Sequence, residues 1–118
     1  MNSHKKYVLA QYVFKNPEEL SYGLMNKPTP LFENTVAIFI FNESGPKSMW
    51  MKNTYSPLDI IFLDKKKKVL CIKNNAKPLN EDIIPCNGDV KYVLEANVGY
   101  IEKNNIIIGD IIIFANYD

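Results

Sequence analysis

The chain has 118 residues, 47% of them hydrophobic and 23% charged, with a formal net charge of +1. That is the length of one ordinary domain, enough to bury a core without disulfides or a metal. The charge is too small to imply a nucleic-acid or membrane partner by electrostatics alone.

All fourteen cationic residues are Lys, and there is no Arg. This excludes forked guanidinium recognition of phosphate, carboxylate or base edges. The single His, His4, lies in residues 1–5, which are expected to be disordered ahead of one domain at 6–118. A His-based metal site or catalytic triad is therefore not expected, and no metal or cofactor is. The N-terminus lacks the apolar core of a secretory signal. No apolar run approaches the roughly 20 residues of a membrane span. A cytoplasmic or virion-associated protein is the resulting expectation.

Lys6 to Phe14 alternates and is rich in Tyr, Val and Phe, which predicts a strand. Asn16-Pro17-Glu18-Glu19 predicts a helix start. Asn16 can cap, Pro17 fits the first position, and Glu19 completes a capping-box pattern. This short helix carries Leu20 and Tyr22, with Leu24 and Met25 beyond. It ends near Gly23, and Pro28 and Pro30 prevent its continuing.

Thr35 to Phe41 is a continuous, β-branched apolar run, expected as a central strand buried on both faces. Asn42 to Lys47 reads as a Gly-Pro turn. Met49, Trp50 and Met51 make a further strand, Lys52 to Pro57 a polar corner, and Asp59 to Leu63 the next strand. Asp64 to Lys68 is a charged hairpin tip, which accounts for the four consecutive Lys without a nucleic acid. Lys67 to Lys73 returns as the partner strand. Cys71 in that strand is expected as a buried free thiol. A disulfide to Cys86 is the alternative if the protein is exported.

Asn74 to Gly88 reads as a long loop carrying Pro78 and Pro85. Lys91 to Ala96 is a strand, Tyr100 to Asn105 a crossover with room for one helical turn, and Ile111 to Phe114 the closing strand. About seven short strands and one helix predict a mainly β (α+β) fold, a compact sandwich or partly closed barrel.

Gly23-Leu24-Met25, Trp50-Met51-Lys52-Asn53-Thr54 and Pro57-Leu58-Asp59-Ile60-Ile61-Phe62 occur in this order. Ala76 with Pro78, Val93-Leu94-Glu95, Gly99 and Gly109-Asp110 follow. In these residues the chain resembles the DUF192 family of small prokaryotic proteins, over roughly residues 7–115. The resemblance implies a compact β-rich domain with a short helix and implies no reaction. Two departures stand out. Lys27 occupies a place where the family usually has Arg, and Val36-Ala37-Ile38-Phe39-Ile40 replaces a common Gly-Met-Leu-Phe.

The candidate binding residues are Trp50, Lys52, Asn53, Thr54, Asp59 and Glu95. The corner after Trp50 can bring Lys52 towards Asp59. Glu95 is unusual as a carboxylate in an otherwise apolar strand, which makes it paired, outward-facing or functional. Trp50 and Tyr55 with nearby polar groups suit a small concave site for a sugar or other small ligand. The alternative is a structural subunit of a larger assembly, such as a virion or cell-surface complex, with Tyr7, Tyr12, Tyr100 and Tyr117 as exposed rings. The least favoured reading is a hydrolase using Asp59 and Glu95 as paired acid and base.

Overall fold

The computed structural model describes residues 4–117; residues 1–3, within the segment expected to be disordered, lie outside them. The elements run β1 (Lys5–Val8), β2 (Ala10–Phe14), α1 (Pro17–Tyr22), β3 (Val36–Met49), β4 (Leu58–Asp64), β5 (Val69–Ala76), β6 (Ile84–Asn97), α2 (Tyr100–Lys103) and β7 (Ile111–Phe114). A five-stranded sheet has the order β2-β3-β6-β4-β5, and a two-stranded sheet pairs β1 with β7. The fold is mainly β, as expected, with two sheets and no closed barrel among the described strands.

The expected first strand is divided at Leu9. Val8 ends its pairing with β7 by accepting from the Ala115 N–H, and the next carbonyl, of Leu9, accepts from the Val36 N–H instead. The chain thus changes sheets in one residue. Asn116 holds the exchange point, bonding both the N–H and the carbonyl of Ala10.

Helix α1 forms as its sequence predicts. The Asn16 side chain accepts from the Glu19 N–H, the Glu19 carboxylate accepts from the Asn16 N–H, and Pro17 takes the first turn. Gly23 ends the helix at φ 50°. A Cβ there would lie 2.7 Å from the Phe39 ring. Gly23 therefore answers two demands at once, a positive φ and a close approach.

Residues 42–47 are not the expected turn, and 84–88 are not loop. Strand β3 continues through them to Met49, and β6 begins at Ile84 as its antiparallel partner. Register shifts on either side of Gly45 accommodate Gly45-Pro46 without ending the ladder. The consequence is a long two-stranded arm. Its far end carries Met49, Ile84 and Cys86 back over one face of the sheet, where they pack with Leu58, Ile60, Phe62 and Val93. There Cys86 meets Cys71 of β5, and the two form a disulfide. The free-thiol expectation fails because the arm brings together positions that the local sequence leaves unrelated.

The opposite face buries Ile38, Ile61, Leu63 and Leu94 beneath Val8, Ile101, Ile112 and Phe114. Two apolar layers, one on each side of the sheet, explain why β4 is buried along almost its whole length. Of the four Tyr expected at the surface, Tyr7 is exposed, Tyr12 and Tyr117 are half-buried, and Tyr100, the first residue of α2, is buried. At the hairpin tip, Asp64 Oδ1 accepts from the N–H groups of Lys66 and Lys68. Lys67 turns back to place Nζ 4.3 Å from the centre of the Phe114 ring.

Candidate functional site

The sheet register decides how the polar candidates are placed. Asp59 of β4 stands opposite Ala96 of β6, and Ile60 stands opposite Glu95. Directly opposed residues share a face, and successive residues alternate. Asp59 and Glu95 therefore leave opposite faces of the sheet. The acid–base pair that a two-carboxylate hydrolase requires across one cleft is not formed.

Asp59 is 1% exposed and fully engaged. Its Oδ1 accepts from the Asn75 N–H at 2.9 Å, and its Oδ2 accepts from the N–H groups of Gly99 and Ile101 at 3.1 and 2.9 Å. Gly99 is the N-cap of α2 and has no side chain to cap with. Asp59 supplies that cap from a strand forty residues earlier and also ties down the end of β5. It makes no ion pair with Lys52 among the described residues; the Lys52 Nζ lies 5.2 Å from the centre of the Trp50 ring. Asn53 adopts φ 50° in the corner, and its carbonyl accepts from the Asn26 N–H at 2.9 Å, joining the corner to the segment after α1.

The other face carries the cleft. It encloses about 230 Å³ between the end of α1 and the arm of β3. Its walls include Tyr22, Gly23 and Leu24 on one side, Ser48, Met49 and Trp50 on the other, with Phe39, Thr54 and Glu95 inside. Trp50 lies just past the end of β3 and is 42% exposed, so it forms a rim and is not the expected strand residue. The Thr54 hydroxyl donates to the Lys52 carbonyl at 3.1 Å, which closes the turn beneath the cleft.

Glu95 is 3% exposed, and no described residue hydrogen-bonds to it or pairs with its charge. Burial alone pushes its carboxyl up to about 8. Among the described residues no Lys or His lines the cleft. A buried carboxyl is normally bonded to donors or paired with a cation, and here the fold leaves it facing a cavity. Of the six candidate residues, Trp50, Thr54 and Glu95 meet in one cleft, Lys52 leans on its rim, and Asn53 and Asp59 serve the scaffold. The residues that the reading of single segments missed are Tyr22, Gly23 and Phe39, which lie far from Trp50 in sequence. The Gly23-Leu24-Met25 motif was the available signal for that wall.

A larger and more open groove of about 410 Å³ lies on the other side of α1. Two of its three charged groups, all but Glu18, are already committed. Glu19 closes the capping box, and Lys27 Nζ rests against the rings of Tyr12 and Phe14. Among the described residues, no cluster of three or more His, Cys, Asp or Glu side chains is placed to hold a metal ion. No helix there is long and apolar enough to cross a membrane.

Fold and cleft together define a small two-sheet β domain with one internal polar group open to a cavity. The chain belongs to the DUF192 family, "Uncharacterized ACR", whose model matches residues 2–114. Two solved structures are similar to it. One is a protein of unknown function from Novosphingobium aromaticivorans DSM 12444, with a TM-score of 0.78 and 36% identity over 83% of this chain and 69% of that one. The other is described as a "putative transcription regulator" from Sinorhizobium meliloti 1021, with a TM-score of 0.79 and 36% identity over 83% of this chain and 75% of that one. No curated protein matches the chain.

Proposed function

We propose that this protein is a non-catalytic binding domain whose ligand is a small molecule seated in the cleft between α1 and Trp50. The observation that carries this reading is Glu95, a buried carboxyl with no partner among the described residues, on the wall of a cavity. The Glu95 oxygens fall just short of full burial, so the carboxyl reaches little beyond the cavity and bears a desolvation cost. A ligand that satisfies it recovers that cost on binding. The cavity of about 230 Å³ falls below the roughly 300–1,000 Å³ of a drug-sized pocket, which suits a small metabolite or a single sugar-sized ring.

Among the described residues no second carboxylate lines the cleft, and Asp59 is held by three backbone N–H groups, which supports binding over hydrolysis. The regulator description of the Sinorhizobium protein finds little support here. This chain has no Arg and a net charge of +1, and its run of Lys lies at a hairpin tip where Lys67 packs on Phe114. The Cys71–Cys86 disulfide supports an oxidising compartment over the cytoplasm.

Trp50 is the single Trp and stands on the cleft rim, so its fluorescence reports occupancy directly. Titration against a panel of small neutral and charged metabolites is the test. A saturable change with one class supports the reading. No saturable change with any class, together with a discrete large complex in the protein purified from its source, would replace it with the assembly role.

A further inference from the structure

The cleft restricts its ligand chemically. Among the described residues Glu95 is the one carboxylate on its walls, and neither Lys nor His lines them with it. An anionic ligand would find a cation only at the rim, where Lys52 already leans on Trp50, and would meet the Glu95 carboxyl on the wall. A metal ion would find one side-chain carboxylate where stable sites use several ligands, and no metal-holding cluster exists among the described residues. A neutral polyol would find the hydroxyls of Ser21, Tyr22 and Ser48 but would leave the Glu95 carboxyl without a counter-charge, and the Thr54 hydroxyl is committed to the Lys52 carbonyl. What Glu95 lacks is a paired cation: among the described residues no Lys or His forms an ion pair with it, and Lys52 stands at the Trp50 rim instead. The rim shows the same preference: the Trp50 ring already attracts the Lys52 ammonium, at 5.2 Å from its centre.

We propose that the cleft takes a small organic amine, its ammonium hydrogen-bonded to Glu95 and its hydrocarbon part lying against Phe39, Met49 and Trp50. This rests on the cleft being the binding site. The amine brings in the counter-charge that Glu95 lacks, and the apolar wall accepts the carbon skeleton. Binding draws Glu95 into its ionised form, so amine affinity rises with pH while the ligand stays protonated. The other groups near Glu95 are Tyr22 from α1, Phe39 and Ser48 from β3, and Thr54 from the corner, with Ile60 beside it in β4. Tyr22 is the one titratable group among these, and the cation at the rim is Lys52, beside Trp50.

The test compares cyclohexylamine with cyclohexanol, a neutral molecule of the same shape. Binding is read by calorimetry and by the amide NMR shifts of Gly23 and Thr54. The amine is expected to bind at least about tenfold more tightly than the alcohol near pH 8.5, with its affinity falling by about tenfold or more on going to pH 6 as Glu95 takes up its proton. Glu95→Gln, of the same shape, should remove the preference for the amine and its pH dependence while leaving cyclohexanol binding intact. Equal binding of amine and alcohol, or an amine affinity unchanged in Glu95→Gln, would overturn the amine assignment and leave the cleft as a site for neutral ligands. If the wild-type protein bound neither probe, with no shift at Gly23 or Thr54, the cleft reading itself would fall.

Discussion

Asp59 and Glu95 stand one residue out of step on adjacent strands, so that one carboxyl enters each face of the same sheet. Both are almost completely buried. Their surroundings nevertheless give them opposite roles. Asp59 meets three backbone N–H groups. Glu95 meets a cavity.

For Glu95 the consequence is a pH-dependent stability. Its folded-state carboxyl is raised from 4.5 to about 8 by burial. Between those values the folded state holds a proton that the unfolded state has released. Stability therefore falls as pH rises through that window and levels off above it. The span corresponds to a loss on the order of 3–5 kcal/mol. Glu95→Gln should remove this slope, matching the wild type near pH 4.5 and exceeding it near pH 8.5 in urea unfolding. A wild-type protein equally stable at both ends would contradict this.

Asp59→Ala leaves three N–H groups, that of Ile101 buried and those of Asn75 and Gly99 half-buried, without an acceptor and removes the cap of α2. At about 1–3 kcal/mol for an unsatisfied buried group, with partial relief by water, the loss should be about 3–5 kcal/mol. Asp59→Asn keeps one acceptor oxygen and should lose less. Thermal unfolding measures both. A loss under about 1 kcal/mol in Asp59→Ala would show that the three bonds do not hold the β5 end and α2 in place.

Gly23→Ala introduces a Cβ at 2.7 Å from the Phe39 ring at a residue with φ 50°. Steric overlap and the backbone penalty together should cost about 2–4 kcal/mol. Because Gly23 and Phe39 both line the cleft, the variant should also weaken ligand binding under conditions where it remains folded. A stable variant with unchanged binding would show that this wall yields freely.

The disulfide joins cysteines fifteen residues apart. Closing a loop of that size stabilises by about 3 kcal/mol in the chain-entropy account. Reduction, or the double change Cys71→Ser and Cys86→Ser, should lower the unfolding midpoint without unfolding the domain at room temperature. It should also loosen the arm. Hydrogen exchange at Cys86 and Ile84 should rise more than at Leu94, which lies in the opposite core layer. Uniform protection in both forms would show that the arm is held by packing alone.

How much of this was legible in the sequence depended on how local each cause is. The cap of α1 is complete within Asn16 to Glu19, so four residues were enough to place it. Val36 to Phe41 carries its burial in its own composition. Glu95 was visible as a carboxylate inside Val93-Leu94-Glu95-Ala96, but its surroundings were not. The cleft needs Gly23, Phe39 and Trp50 together, and only the folded arm of β3 and β6 assembles them. The same arm hid the disulfide, since Gly45-Pro46 looks like a turn when the strand that pairs across it is not known. Asp59 was misread for a different reason. Its partners are backbone N–H groups, and a backbone donor at Gly99 or Ile101 leaves no trace in residue identity.

The titration of the Glu95 carboxyl, followed by carbon-detected NMR on protein labelled at glutamate, tests the central claim most directly. A carboxyl buried on the wall of the cleft, with no partner among the described residues, should titrate at about 8, far above its ordinary 4.5. A midpoint close to 4.5 would mean that Glu95 is solvated or held by donors, and the cleft would lose the group on which its proposed role depends.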